Sequence, residues 1–531
     1  MNYRQIPPIA SSIFLVTVAA FYLLIGLSAY SQGNNVSQPE KPAYKEGELI
    51  IQMAPGAEST ALVSDFATYD LQPKKLLSKR MNIWLYEYDP AGMTAADHSV
   101  LLANVRNHRD VFIAQFNHPI KLRSTFPDDP SFNLQWSLHN TGQSGGTPDA
   151  DIDAPEAWDI ATGDTTVFGD QIVVAIIDGG CDINHVDIDF FKNIYDIPGN
   201  GQDDDTNGYI DDYDGWNAYS SNGNIPISSH GTHVAGIAAA IGNNATGVSG
   251  VNWGVKVMPI AGSSSYESVV VEAYGYVVEM RARYNETNGA RGAFVVATNS
   301  SFGVDYGDPD DYPIWCAMYD SMGVLGILSA AATANLNIDI DVYGDVPTAC
   351  PSDFLISVTN TTHNDTKNSS AAYGATTIDL GAPGTNIYST TPYDNYGYMT
   401  GTSMATPHVC GAVALLYAAA CPALIQQYRT DPATVALIMK QYILDGTDPI
   451  PSLQGITVSG GRLNIYNSLQ LVENHPCGVM IEHSPLSDTK DTLNDYEVLC
   501  EIVSAAELVP ESLLLYYEIA SVWYEDTLTT T

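Results

Sequence analysis

Three short segments of this 531-residue chain set an aspartate, a histidine and a serine where acyl-transfer chemistry would use them. Asp178 ends the apolar run 173–177 and precedes Gly179 and Gly180. A carboxylate therefore stands where a buried parallel strand emerges, the place at which open α/β sheets build their sites. His230 opens the stretch Gly231-Thr232-His233-Val234-Ala235-Gly236-Ile237, a helix start whose glycine lets backbones pack closely. Ser403 lies in Gly401-Thr402-Ser403-Met404-Ala405-Thr406-Pro407-His408, ahead of an apolar helix that runs to Ala420. At a helix N-terminus its hydroxyl lies beside free backbone N–H groups and the positive end of the dipole. Singly, each segment also fits ordinary structure, since Asp often follows a strand as a turn residue and Gly-Thr-Ser is a common helix cap. Together they supply a nucleophile, its general base and a carboxylate that orients the base. An esterase of the α/β-hydrolase type would carry Ser before Asp and His, within Gly-x-Ser-x-Gly; here the order is reversed and that motif is absent around Ser403. Cys181, three residues after Asp178, is set aside as a nucleophile because the serine has the better constellation. His233, His185 and His408 are read as structural.

In this order the three segments resemble the signature motifs of the subtilisin-like serine proteases, and the similarity spans about residues 125–472. The resemblance implies a secreted endopeptidase that hydrolyses peptide bonds through an acyl-enzyme. Catalysis would rest on Asp178, His230 and Ser403, and protein or peptide chains would be the substrates. The segment Asn299-Ser300-Ser301-Phe302-Gly303 resembles the one that lines the primary specificity pocket and pairs with the substrate backbone, which makes Ser301, Phe302 and Gly303 the substrate-binding candidates. Residues 328–335 resemble the strand leading to the oxyanion-hole asparagine, so Asn335 is the candidate donor and Asn337 the runner-up, because Ala334 stands where the family usually has Gly. Gly179 is a second departure: the family generally has Ser or Thr there, and a hydroxyl that would help hold the Asp178 carboxylate is missing. A different class, a catalytically inactive binding or adhesion protein on the same fold, is disfavoured because the triad and an oxyanion candidate are all present.

Positioning these residues requires a parallel sheet flanked by helices. Continuous apolar runs at 171–177, 293–297, 324–331 and 354–359 read as strands buried on both faces, with helical stretches between them. The fold class is α/β, with a peptidase domain over 125–474. Upstream, strands at 48–53, 83–88 and 111–116 and helices at 59–69 and 95–107 form a small α+β unit. Lying before the enzyme, residues 32–124 read as an inhibitory prosegment, an intramolecular partner removed by the enzyme's own site. Residues 1–31 carry a single charge, Arg4, an apolar run over 13–27 and a small-x-small cleavage site at 29–31, the pattern of a signal peptide, with a membrane anchor as the alternative because 9–30 is almost long enough to span a bilayer. The destination is the cell exterior or surface, with no stable membrane span after cleavage. Beyond 474, alternating runs at 497–503 and 513–519 read as the start of a β-rich module, with too few strands for a complete sandwich.

Charge narrows the partners further. The chain carries 21 Lys and Arg against 61 Asp and Glu, a net charge of −40. Residues 32–124 are neutral, so the excess lies almost wholly beyond residue 124. Such a surface repels nucleic acid and favours bound cations. One stretch is organised for them: Asp203, Asp205 and Asn207, followed by Gly208, reproduce the first half of an EF-hand-like loop. Tyr209, Asp211 and Asp214 fall at its later ligand places, so a structural Ca2+ is expected there, the alternative being a solvated acidic turn. No catalytic cofactor is implied. Seven cysteines show no metal-like spacing, and in an exported protein Cys316 with Cys350 and Cys477 with Cys500 are the candidate pairs.

Overall fold

The computed structural model describes residues 44–118, 125–264 and 266–477, and four strands beyond. The expected signal peptide lies outside the described residues. The chain divides into two compact units, Met1–Leu122 and Arg123–Thr531.

The first unit contains strands β1 (Glu48–Met53), β2 (Gln72–Ser78) and β3 (Ile83–Glu87), helix α1 (Ala95–Arg106) and strand β4 (Val111–Phe116). They form an antiparallel sheet in the order β2-β3-β1-β4. Leu49, Ile51 and Met53 alternate into a core shared with Leu101, Leu102 and Val105 of α1. A reciprocal Thr94–Asp97 capping box starts α1. One expectation is corrected. The stretch 59–69 is not an α-helix but two short 3-10 turns, Ser59–Leu62 and Ala67–Tyr69, interrupted where Phe66 leaves helical geometry. Strand β2 was not foreseen, because it is a bulged edge strand containing Pro73 and showing no apolar alternation.

In the second unit, α2 (Ala154–Trp158), β5 (Ile172–Asp178), β6 (Trp216–Asn217), α3 (Ser229–Ala239), β7 (Lys256–Ala261), α4 (Glu267–Glu286), β8 (Phe294–Ser300) and β9 (Val304–Asp305) follow one another. Next come α5 (Pro313–Val324), β10 (Leu328–Ala332), α6 (Ile340–Tyr343), β11 (Asp345–Val346), β12 (Leu355–Thr361), β13 (Leu380–Pro383), β14 (Ile387–Thr391) and β15 (Asn395–Met399). The unit continues with α7 (Thr402–Ala419), α8 (Pro422–Thr430), α9 (Pro432–Asp445), β16 (Asp448–Pro449), β17 (Gly461–Arg462) and α10 (Ile465–Glu473). The main sheet runs β16-β17-β13-β12-β10-β8-β5-β7-β6 and is parallel except at β16. Because β7 lies on one side of β5 and β8 on the other, the strand order reverses beside β5, and a crevice opens at the carboxyl ends of those strands. The run expected as a strand from 324 begins only at Leu328: Val324 ends α5, and a turn through Gly326 intervenes.

All seven residues of β5 are buried, as a strand covered on both faces demands. Ile172, Val174 and Ile176 face one core with residues of α3 and α7, whereas Val173, Ala175 and Ile177 face another with residues of α4 and α5. Helix α7 is almost wholly buried and packs on α3. Gly411 permits the approach: a Cβ there would stand 2.7 Å from the Ala238 carbonyl oxygen and 2.8 Å from Val251 Cβ.

The structure contains the disulfide Cys316–Cys350. Cys477, however, pairs with Cys421 and not with Cys500. Packing of α10 against α7 and α9 brings the chain after α10 back to the start of α8, a tertiary juxtaposition that spacing along the sequence does not reveal. The strands Met480–His483 and Cys500–Val503 form one antiparallel pair, and Leu514–Ile519 and Val522–Thr527 another. No single helix among the described residues is long and apolar enough to cross a membrane.

The α3–α7 contact leads to the first expected outcome. Gly411→Ala adds helix propensity worth about 1 kcal/mol, yet overpacking at this contact should cost about 1–3 kcal/mol. Urea unfolding of the variant should therefore show a lower midpoint; a raised midpoint would mean that the two helices do not meet this closely.

Candidate active site

The buried carboxylate at the end of β5 organises the site. Asp178 Oδ1 accepts the Gly179 N–H at 2.6 Å, and Oδ2 meets His230 Nδ1 at 2.7 Å. His230 is the second residue of α3, which begins where Ser228 caps it by accepting the Gly231 N–H. Glycine at 231 is a steric necessity, because a Cβ would lie 2.0 Å from the Gly180 carbonyl oxygen and 3.0 Å from the Asp178 carboxylate. Burial alone would lower the His230 pKa, but the hydrogen bond and charge of Asp178 outweigh it and the net shift is upward.

The departure at Gly179 is offset in space. The Ser228 hydroxyl lies 3.5 Å from Asp178 Oδ1, at the outer limit of a hydrogen bond, and 3.4 Å from where a Cβ of residue 179 would stand. A hydroxyl from the α3 cap thus occupies the neighbourhood that a side chain at 179 would enter.

Ser403 is the second residue of α7, among the first four whose N–H groups have no intrahelical acceptor. Pro407 lies four residues on and has no N–H to give to the Ser403 carbonyl; the Ser301 hydroxyl donates to that carbonyl instead, at 3.0 Å. The Ser403 hydroxyl donates to the Ser301 carbonyl at 3.4 Å and makes no hydrogen bond to His230. Ser301 directly follows β8, whose Ser300 is in register with Ile177 of β5, so Asp178 and Ser301 share one rim of the sheet.

Asn335 follows β10, and its Oδ1 accepts the Thr402 N–H at 3.0 Å. With Oδ1 engaged, the amide Nδ2 is the group left for a ligand. Asn337 is occupied elsewhere, accepting from Lys367 Nζ at 3.1 Å. Ser301, Phe302, Gly303 and Asn335 line, with Ser403, a cavity of about 310 Å³ including its open mouth. Two further lining residues were not foreseen from sequence, Asp305 and Asp345. They stand opposite each other in the short β9–β11 pair, a contact without any local sequence signal.

The other histidines near the site are committed. His233 is buried, binds the carbonyls of Ile387 and Gly397 through Nε2, and has its pKa driven down to about 4 by burial. His408 is likewise lowered to about 4, with Nδ1 on the Met404 carbonyl. His185 binds the Asn395 carbonyl through Nε2. Burial pushes the Cys181 thiol up to about 12, the reverse of what a nucleophile requires.

In the acidic loop, Asp203 accepts the N–H groups of Asn207 and Gly208, and Asp205 accepts that of Asn207. Gly208 takes a positive φ of 93° at the turn. Asp211 and Asp214 are turned away: the first binds the N–H groups of Asn200 and Gly201, the second Lys192 at 2.6 Å. The Tyr209 ring packs edge-on against Trp216 and Tyr276. Asn193 and Asn207 instead link Asp205 to the buried Asp212, which sequence reading did not single out. Burial and the neighbouring Asp196 push the Asp212 carboxyl up to about 7. Among the described residues no group of three or more His, Cys, Asp or Glu side chains converges as a metal-ligand set. Asp203, Asp205 and Asn207 are thus gathered at the Gly208 turn, whereas the Asp211 and Asp214 carboxylates hydrogen-bond to other partners.

Residues 169–453 match the family model described as "Subtilase family". The chain is 32% identical over 344 residues to an "Extracellular protease" of Xanthomonas campestris pv. campestris, covering 59% of this chain and 52% of the relative. It is 30% identical over 325 residues to "Subtilisin-like protease 1" of Plasmodium falciparum, covering 56% and 43%. Against "Thermitase" of Thermoactinomyces vulgaris the identity is 32% over 270 residues, covering 50% of this chain and 79% of the relative. The chain thus spans about half the length of the first two relatives and most of the third. With a family match across more than half of its length, on a parallel sheet flanked by helices, this chain belongs to the subtilase family.

Proposed function

We propose that the protein is a serine endopeptidase acting through an acyl-enzyme, with Ser403 as nucleophile, His230 as general base and Asp178 as the residue that orients the base. The observation that carries this reading is the 2.7 Å Asp178–His230 hydrogen bond, on the same sheet rim as a cavity shared by Ser403 and Asn335. In the reaction the Ser403 hydroxyl turns from the Ser301 carbonyl to His230, gives up its proton and attacks the scissile carbonyl. Asp178 keeps the proton of His230 on Nδ1, so that Nε2 is the basic nitrogen, and stabilises the imidazolium. Asn335 Nδ2 and the Ser403 N–H are the donors for the oxyanion. Protonated His230 then returns its proton to the leaving amine, and water repeats the sequence on the ester.

Secretion and autoprocessing belong to the same reading. The apolar N-terminus, two disulfides and relatives named as extracellular support export. The separate first unit supports a prosegment that inhibits the enzyme until the enzyme removes it. Ser403→Ala should abolish hydrolysis of fluorescent casein and leave a precursor that retains residues 32–124 when expressed alone. Maturation of this variant to the wild-type N-terminus would rule out self-processing, and undiminished casein hydrolysis would rule out Ser403 as nucleophile.

The pH profile follows from the sign of the His230 shift. The base works when neutral, and Asp178 raises its pKa, so kcat/KM should rise with pH through a midpoint above the ordinary imidazole value of about 6.5. Asp178→Asn should move that midpoint downward and reduce turnover by about ten-thousandfold through loss of the correct tautomer. A midpoint that stays in place would remove Asp178 from contact with the base.

Calcium is proposed as a structural ion held by Asp203, Asp205 and Asn207. Their oxygens and the Gly208 turn support it, as does the cluster of buried carboxyl groups formed by Asp196, Asp205 and Asp212, of which Asp205 is the one paired with Arg283 among the described residues. When bound, the ion supplies local neutralisation and takes no part in the reaction. At a hundred times its Kd it should add about 2.7 kcal/mol to stability. Calorimetry of the Ser403→Ala protein with calcium and with chelator, and of Asp205→Ala in that background, tests this. Equal melting temperatures with and without calcium would exclude the ion.

A further inference from the structure

Cleavage-site preference, which the sequence alone does not disclose, has a physical basis in the cavity beside Ser403. With an acyl carbon on Ser403 Oγ and its oxygen toward Asn335, the side chain of the acyl residue begins two bonds away, at Cβ. It must then enter the space that Ser403 and Asn335 border, the cavity lined also by Asp305 and Asp345.

These two carboxylates are directly opposite each other across the antiparallel β9–β11 pair, an arrangement of like charges that is destabilising in itself. Among the described residues neither forms an ion pair with Lys, Arg or His. Asp345 is buried, 1% exposed. Its Oδ2 is fixed by the Thr348 hydroxyl at 2.5 Å and the Ala334 N–H at 3.2 Å, and no donor among the described residues reaches Oδ1. Burial, with Asp305 adding to it, pushes the Asp345 carboxyl up to about 7; a cation in the cavity would hold it ionised. Phe302, Ala332 and Ala334 add apolar wall, suited to the methylene stem of a long cationic side chain.

We infer that the cavity takes lysine or arginine as the residue on the acyl side of the scissile bond, with Asp345 and Asp305 receiving its charge. The inference rests on the endopeptidase reading and narrows its substrates to chains cleaved after basic residues. The bonds made and broken are those of the acyl transfer above. The two aspartates determine which residue is held while Ser403 attacks.

The test compares coumarin-amide peptides identical except at the acyl residue, which is Arg, Lys, Leu, Phe or Glu, using the secreted enzyme. Arg and Lys should exceed Leu and Phe in kcat/KM by about tenfold or more, and Asp345→Asn should lower the Arg-to-Leu ratio by about tenfold. Asp305→Asn, on the more exposed strand, should lower the same ratio by a smaller factor. A merely structural role for Asp345 in holding Ala334 would slow all five substrates alike and leave the ratio unmoved. Should Asp345→Asn fail to accumulate, the wild-type profile and Asp305→Asn decide. Preference for Leu or Phe in the wild type, or an unmoved ratio in the variants, overturns the inference. Labelling of Ser403 by a fluorophosphonate, which carries no acyl side chain, separates the two readings. Labelled enzyme that prefers Leu refutes only the basic preference, whereas an enzyme that neither labels nor cleaves any of the five refutes the peptidase reading and this inference with it.

Discussion

Everything at the site depends on holding one carboxylate, Asp178, out of water at the end of the central strand. Burying an ionised group is costly unless it is paired and hydrogen-bonded, and Asp178 is met by the Gly179 N–H and by His230 Nδ1. The second partner is in place because α3 starts there, capped by Ser228 and pressed against the carboxylate at a glycine. The requirement that stabilises the charge is the one that fixes the imidazole. Structure and chemistry share a single interaction.

Helix α7 meets a second constraint. It is a buried helix whose first-turn N–H groups have no acceptor within the helix and must find partners elsewhere. Asn335 takes the Thr402 N–H and is oriented in return. Pro407 removes the donor that would have capped the Ser403 carbonyl, and Ser301 answers with its hydroxyl. The segment after β8 is thereby tied to the backbone of Ser403.

The acidity of the chain has two distinct consequences. On the surface it is a diffuse field that salt screens. Around Asp196, Asp205 and Asp212, and again at Asp305 and Asp345, carboxylates are instead brought together in partly enclosed spaces, where Coulomb interactions are stronger than in bulk water. Such places favour cations, whether an ion or the side chain of a bound peptide.

Legible in the sequence was whatever is encoded locally. The continuous apolar run of β5 announced a strand covered on both faces, and Gly-Thr beside His230 and Gly-Thr-Ser ahead of an apolar stretch announced the two helix starts. The candidate triad followed from these segments and their order. The sequence was less informative where pattern is weak: the edge strand β2, bulged around Pro73, and the 3-10 turns between Ser59 and Tyr69 carry no clear period. It was silent on contacts between residues distant in the chain. Only the packed structure paired Cys421 with Cys477, set Ser228 beside Asp178, turned Asp211 and Asp214 away from Asp203, and placed Asp345 opposite Asp305. The physical reason is common to all four: periodicity and capping are short-range and written within a few residues, whereas a pairing across the fold is decided by which elements bury one another.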